Sequence, residues 1–166
     1  MVDASRGAGM VFICNPNNPT STLHPLSDIE IAVREIKQRS PETAILIDEA
    51  YIDYTFDPDV KTASLLTQEF PSVFITRSFS KAHGMAGLRV GYGIGHEETL
   101  DAITTAWNLG SMNTLSAAAA IASFIARGFG GVIGVLTTLI CCSFSSSGQR
   151  LPDELRLTAP AGREAV

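Results

Sequence analysis

Short apolar runs alternate with amphipathic stretches over the first two thirds of the chain. Met10-Val11-Phe12-Ile13-Cys14 predicts a buried strand, and the polar cluster Asn15 to Thr20 predicts a turn after it. Ser27 with Glu30 three residues on forms a capping box, and Ile29, Val33 and Ile36 recur at helical spacing. A helix is therefore expected from Ser27 to about Arg39, with Pro41 punctuating its end. Ala44 to Ile47 predicts a second strand ending at Asp48, Lys61 to Phe70 a helix, and Val73 to Thr76 a third strand. Leu88 to Gly93 predicts a fourth strand, and Glu97 to Leu109 and Thr114 to Ala126 predict two more helices.

Strands and helices in this alternation give an α/β domain with a mostly parallel sheet flanked by helices. Ligands of such sheets bind beyond the carboxyl ends of the strands. Each of the first three strands is followed there by polar residues: Asn15 to Thr20, Asp48 to Tyr51, and Ser78 to Lys81. Three polar groups on one rim predict one site.

Composition narrows the function classes. The chain has 166 residues, 45% hydrophobic and 17% charged, which suits one globular domain. The net charge is −5 and no basic residues cluster, which argues against nucleic acid as a partner. Cys14, Cys141 and Cys142 show no metal-ligand spacing and read as reduced thiols of a reducing compartment, the cytoplasm or, if a targeting N-terminus is missing, an organelle. The first six residues contain no apolar run of the secretory type. Between Ala102 and Gln149 the one charged residue is Arg127, and a serine run and a polar end follow. The uncharged stretch from Gly128 to Phe144 is shorter than the roughly 20 residues a membrane helix needs, and its glycines weaken that reading further.

The candidate site residues each have two readings when taken singly. Lys81, on a loop after a buried strand, is either a surface lysine or a partly desolvated amine of lowered pKa, with Arg89 pushing the same way. Asp48, at the end of an apolar strand, is a helix cap, a magnesium ligand or the partner of a buried cation such as a protonated pyridine nitrogen. There is no GxxxxGK[ST] to support a nucleotide site. Pro16 and Pro19 stiffen a turn that is either a plain loop or a rigid mount for the Asn18 amide. Arg89 offers either a surface ion pair or a planar fork for phosphate. His83 reads as a loop histidine with a structural hydrogen bond, and the three histidines are too scattered for a metal site.

Together these residues resemble a known family. Asn15-Pro16-Asn17-Asn18-Pro19-Thr20, then Asp48-Glu49-Ala50-Tyr51, then Ser78 through Lys81 to Arg89 are similar, in order and spacing, to the motifs of class I/II aminotransferases of pyridoxal-phosphate (PLP) fold type I. The branch sharing the longest such runs is histidinol-phosphate aminotransferase. The resemblance implies that Lys81 is the Schiff-base lysine and the proton shuttle. It implies that Asp48 pairs with the pyridine nitrogen, that Asn18 and Tyr51 bond the phenolic oxygen of PLP, and that Ser78, Ser80 and Arg89 hold the phosphate, with Ala50 beneath the ring. It also implies an amino donor such as histidinol phosphate, a 2-oxo acid acceptor such as 2-oxoglutarate, and a homodimer.

The chain departs from the family in three places. Ser21 stands where the family has glycine, which costs energy if that position needs φ > 0. The family's phosphate loop, ring-stacking aromatic and partner-donated tyrosine, all upstream, find no match, and neither does its downstream carboxylate-binding arginine. The expectation is therefore a central piece of the large domain over residues 1–126 and an unrelated tail over 127–166. It leaves open an inactive fragment, or a decarboxylase or lyase of the same fold.

Overall fold

The structure, a computed structural model, describes residues 1–107 and 112–126. Four strands form one sheet in the order β1 (Met10–Cys14), β2 (Ala44–Asp48), β3 (Val73–Ser78) and β4 (Gly91–Gly95). The first two pairings are parallel and β3 with β4 is antiparallel. Among the described residues four α-helices accompany it: α1 (Leu26–Arg39), α2 (Leu66–Glu69), α3 (Glu97–Trp107) and α4 (Thr114–Ala126). The mostly parallel α/β sheet expected from the alternation is present.

The register shows why the core forms where it does. Ile13, Ile47 and Ile75 stand side by side across β1, β2 and β3, and Val11, Ile45 and Val73 form the row behind them. These residues point to one face, because side chains alternate along a strand. The Ile29, Val33 and Ile36 stripe of α1 packs on that face, together with Ala63 and Leu66. Each fully buried isoleucine contributes about 1.5–3 kcal/mol. A second cluster sits under α4, where Ala120 and Phe124 meet Phe79, Val90 and Tyr92.

Four local expectations are corrected. The first strand is buried on one face only: Ile13 is 3% exposed but Phe12 is 63% exposed. α1 starts at Leu26, one residue before Ser27, with Pro25 at its cap and no side-chain capping bond. Ser27 therefore lies inside the first turn rather than at the cap, and the Leu26 N–H bonds Asp59 O. The helix expected over 61–70 shrinks to α2, because Thr62 and Ala63 are spent on the Glu49 carboxylate. The fourth strand begins at Gly91 rather than Leu88, since Ala86–Leu88 is a 3-10 turn and Arg89 is left-handed. The expectations for residues 108–109 and 127–166 lie outside the described residues. Among the described residues no helix is long and apolar enough to cross a membrane.

Candidate functional site

Because β1, β2 and β3 run parallel, their carboxyl ends share one rim. Backbone bonds stitch that rim together: Asn15 N donates to Asp48 O at 3.0 Å and Glu49 N donates to Thr76 O at 2.9 Å. Asn15, 3% exposed, then closes the following loop by bonding both backbone groups of His24 at 2.9 Å. Within the loop, Ser21 N donates to Asn17 O, and Ser21 has φ 57°. That is the left-handed conformation in which a serine costs energy and a glycine does not.

The closed loop holds Asn18 out toward the next strand end. Its Nδ2 donates to Tyr51 Oη at 2.8 Å. Lys81 approaches Tyr51 from the third strand end, with Nζ 5.0 Å from the ring centroid. An amide, a phenol and an amine from three successive strand ends thus meet at one point. The Lys81 pKa is raised, first by its hydrogen bond to the Tyr51 phenol and then by that group's charge. Of the two readings of Lys81, the desolvated amine of lowered pKa is set aside: Lys81 is exposed and its ammonium is stabilised by Tyr51.

The remaining candidates lie on the same rim. Asp48 Oδ1 accepts from Ala50 N at 3.0 Å. Asp48 pairs in register with Cys14 on the sheet face away from α1. Burial pushes the Cys14 thiol pKa up, and the Asp48 charge adds to it. Ser78 Oγ accepts from Ser80 N at 3.0 Å. Phe79 N donates to Val90 O at 3.2 Å, extending the β3–β4 ladder and delivering Arg89 to this end of the sheet. Arg89 has φ 53°, and its Nη1 donates to Ala86 O at 2.8 Å.

Sequence reasoning passed over one pair that builds this rim. Glu49, 2% exposed, receives Arg77 Nε at 3.0 Å and Arg77 Nη2 at 2.7 Å. Its carboxylate also accepts from Thr62 Oγ1 and Ala63 N. The signal was in the alternation: Glu49 continues Ile45 and Ile47, and Arg77 continues Val73 and Ile75. Opposite charges at the next inward position of neighbouring parallel strands point to a buried ion pair.

Residues 2–132 match the aminotransferase class I and II family, and the chain belongs to that family. It is 43% identical over 115 residues to histidinol-phosphate aminotransferase of Lactiplantibacillus plantarum, covering 68% of this chain and 32% of that relative. It is 43% identical over 119 residues to aromatic amino acid aminotransferase of Thermobifida fusca, covering 71% of this chain and 32% of that relative. Among solved structures it resembles histidinol-phosphate aminotransferase from Sinorhizobium meliloti in complex with pyridoxal-5'-phosphate, with TM-score 0.66 and 28% identity over 74% of this chain and 32% of that one. The sheet and its helices are part of the PLP fold type I architecture, and the chain spans 32% of the length of each of these relatives.

Proposed function

We propose that this chain is the cofactor-holding part of a PLP-dependent aminotransferase that moves an amino group between histidinol phosphate and 2-oxoglutarate in histidine biosynthesis. The observation that carries the reading is the meeting of Asn18, Tyr51 and Lys81 at the carboxyl ends of three neighbouring parallel strands. Kinship with histidinol-phosphate aminotransferases supports the substrate.

The donor set suits a flat, phosphorylated aromatic aldehyde. An amine is present beside a phenol, a carboxylate lies on the neighbouring strand, and hydroxyls and a guanidinium occupy the same rim. When bound, PLP supplies the aldehyde that takes the amino group and a ring that draws electrons from the substrate Cα. Lys81 Nζ would carry the cofactor and, once released, move the proton at Cα. Tyr51 Oη and Asn18 Nδ2 would orient the phenolic oxygen. The Asp48 carboxylate would hold the proton on the pyridine nitrogen. Ser78, Ser80 and Arg89 would bind the phosphate, where a planar guanidinium can donate two bonds at once. The whole protein would work as a cytoplasmic homodimer, as the family kinship suggests.

The test is reductive trapping. The purified chain is mixed with PLP, reduced with borohydride and mapped by peptide. Label on Lys81 is expected, and label confined to Lys37 or Lys61 overturns the assignment. Little turnover of histidinol phosphate is expected from this chain alone, and robust single-turnover transfer to the cofactor would contradict that. A second reading, an aromatic amino acid as donor, is favoured by the 43% identity to the Thermobifida fusca enzyme. Comparing histidinol phosphate with tyrosine as donor to the full-length protein separates the two.

A further inference from the structure

His83 lies two residues beyond Lys81 but points the other way. Lys81 is exposed, whereas the His83 side chain is only 4% exposed. Its Nδ1 is 2.5 Å from Ser123 Oγ on α4. Its Nε2 is 3.8 Å from Asp53 Oδ2, in the 3-10 turn that follows Tyr51. Its ring packs against Phe79 at 4.7 Å between centroids, with the planes tilted by 60°. Nδ1 and the Ser123 hydroxyl share a hydrogen bond, while Nε2 faces the Asp53 carboxylate at ion-pair distance, beyond hydrogen-bond reach.

This Ser–His–Asp order is not a hydrolytic site, because a side chain so deeply covered meets no substrate. Its effect is mechanical. Met85 N bonds Phe79 O and Gly84 N bonds Lys81 O, so residues 79–85 form one closed turn that includes Lys81. That turn faces the Tyr51 turn at two places: Lys81 Nζ lies over the Tyr51 ring, and His83 Nε2 stands at ion-pair distance from the Asp53 carboxylate. The Ser123 bond anchors it to a helix packed on the second core cluster.

We propose that His83 is a positioning residue that fixes the reach of Lys81 by clamping its loop between Asp53 and Ser123. The relation to the cofactor rests on the proposed function, but the clamp itself does not. A side chain without polar atoms at this position can fill the space and pack on Phe79, yet it cannot make either polar link. The mobility of the Lys81 turn, and hence how often its amine meets a bound aldehyde, would then depend on the imidazole nitrogens.

The experiment compares the full chain with His83→Phe, His83→Asn and Ser123→Ala. Amide hydrogen exchange at Gly84 and Met85 is read against strand amides at Ile47 and Ile75, and the Lys81 share of borohydride-trapped PLP is read against Lys37 and Lys61. The clamp predicts about tenfold faster exchange at Gly84 and Met85 in His83→Phe, with strand amides unchanged. It predicts a severalfold fall in the Lys81 share, and partial recovery in His83→Asn, whose amide can still bond Ser123. Ser123→Ala should move both readouts in the same direction. Unchanged loop exchange in His83→Phe and Ser123→Ala overturns the clamp. So does exchange that quickens equally in loop and strands, since that marks a general loss of stability. If the unaltered chain is not labelled at Lys81, the proposed function falls, and the exchange measurement still decides the clamp.

Discussion

Arg77 places both Nε and Nη2 on a single carboxylate oxygen of Glu49, at 3.0 and 2.7 Å, beneath the rim that carries Asp48 and Ser78. Burial by itself would lower the Arg77 pKa, but the charge of Glu49 and contact with Tyr92 outweigh it and raise it. The pair joins the carboxyl ends of β2 and β3 directly below the candidate site.

Removing one partner should leave the other charge buried and unpaired, at a cost of about 3–5 kcal/mol. Glu49→Gln and Arg77→Met are each expected to lower the denaturation midpoint strongly. The double variant should be less destabilised than the sum of the two. Denaturant titration of the four proteins measures the coupling, and full additivity would show that the contact is energetically idle.

Lys81 gives a pH prediction whose sign follows from its Tyr51 contact. A raised pKa leaves less neutral amine at every pH below it, so the rate of trapping by PLP should climb as pH rises through the lysine range. Tyr51→Phe removes the hydroxyl that holds the ammonium. The Lys81 pKa should fall, and initial trapping near neutral pH should speed severalfold, although the cofactor is held less tightly afterward. Identical pH–rate curves for the two proteins would show that the phenol does not control the amine.

Arg89 predicts opposite signs for stability and binding. A non-glycine residue in left-handed conformation costs about 1–2 kcal/mol. Arg89→Gly relieves that strain, set against about 0.5–1 kcal/mol of extra unfolded-chain entropy. Stability should therefore hold or rise slightly, while PLP affinity drops about tenfold or more with loss of the charged donor. Ser21→Gly, also left-handed, is the control, with the same stability trend and unchanged affinity. A fall in Arg89→Gly stability, or unchanged affinity, contradicts the assignment.

Cys14 reports on the Asp48 charge. With its pKa raised by burial and by Asp48, the thiol should alkylate more slowly than a free cysteine at mildly alkaline pH. Asp48→Asn removes the second cause and should accelerate the reaction, measured by peptide mapping to separate Cys14 from Cys141 and Cys142. No acceleration would mean that the carboxylate is not felt at the thiol.

Most of the fold was legible in the sequence because its signals are local. The apolar runs at 10–14, 44–47 and 73–76 locate the three parallel strands, and the Ile29, Val33, Ile36 spacing marks the buried face of α1. The motif residues Asn18, Asp48, Tyr51, Ser78, Lys81 and Arg89 could be named because their order and spacing resemble the family's motifs, whereas taken singly each kept more than one reading. What the sequence could not determine is anything set by a partner distant in the chain. Helix propensity over 61–70 gave way because Glu49 takes the donors of Thr62 and Ala63. The sequence left Lys81 as either a surface lysine or a desolvated amine of lowered pKa, and Tyr51, thirty residues earlier, decides it by raising the pKa of an exposed amine. The inward turn of His83 between Asp53 and Ser123 has the same origin. Periodicity fixes which residues form strands and helices, while side-chain charge and reach depend on which strand ends the tertiary structure brings side by side.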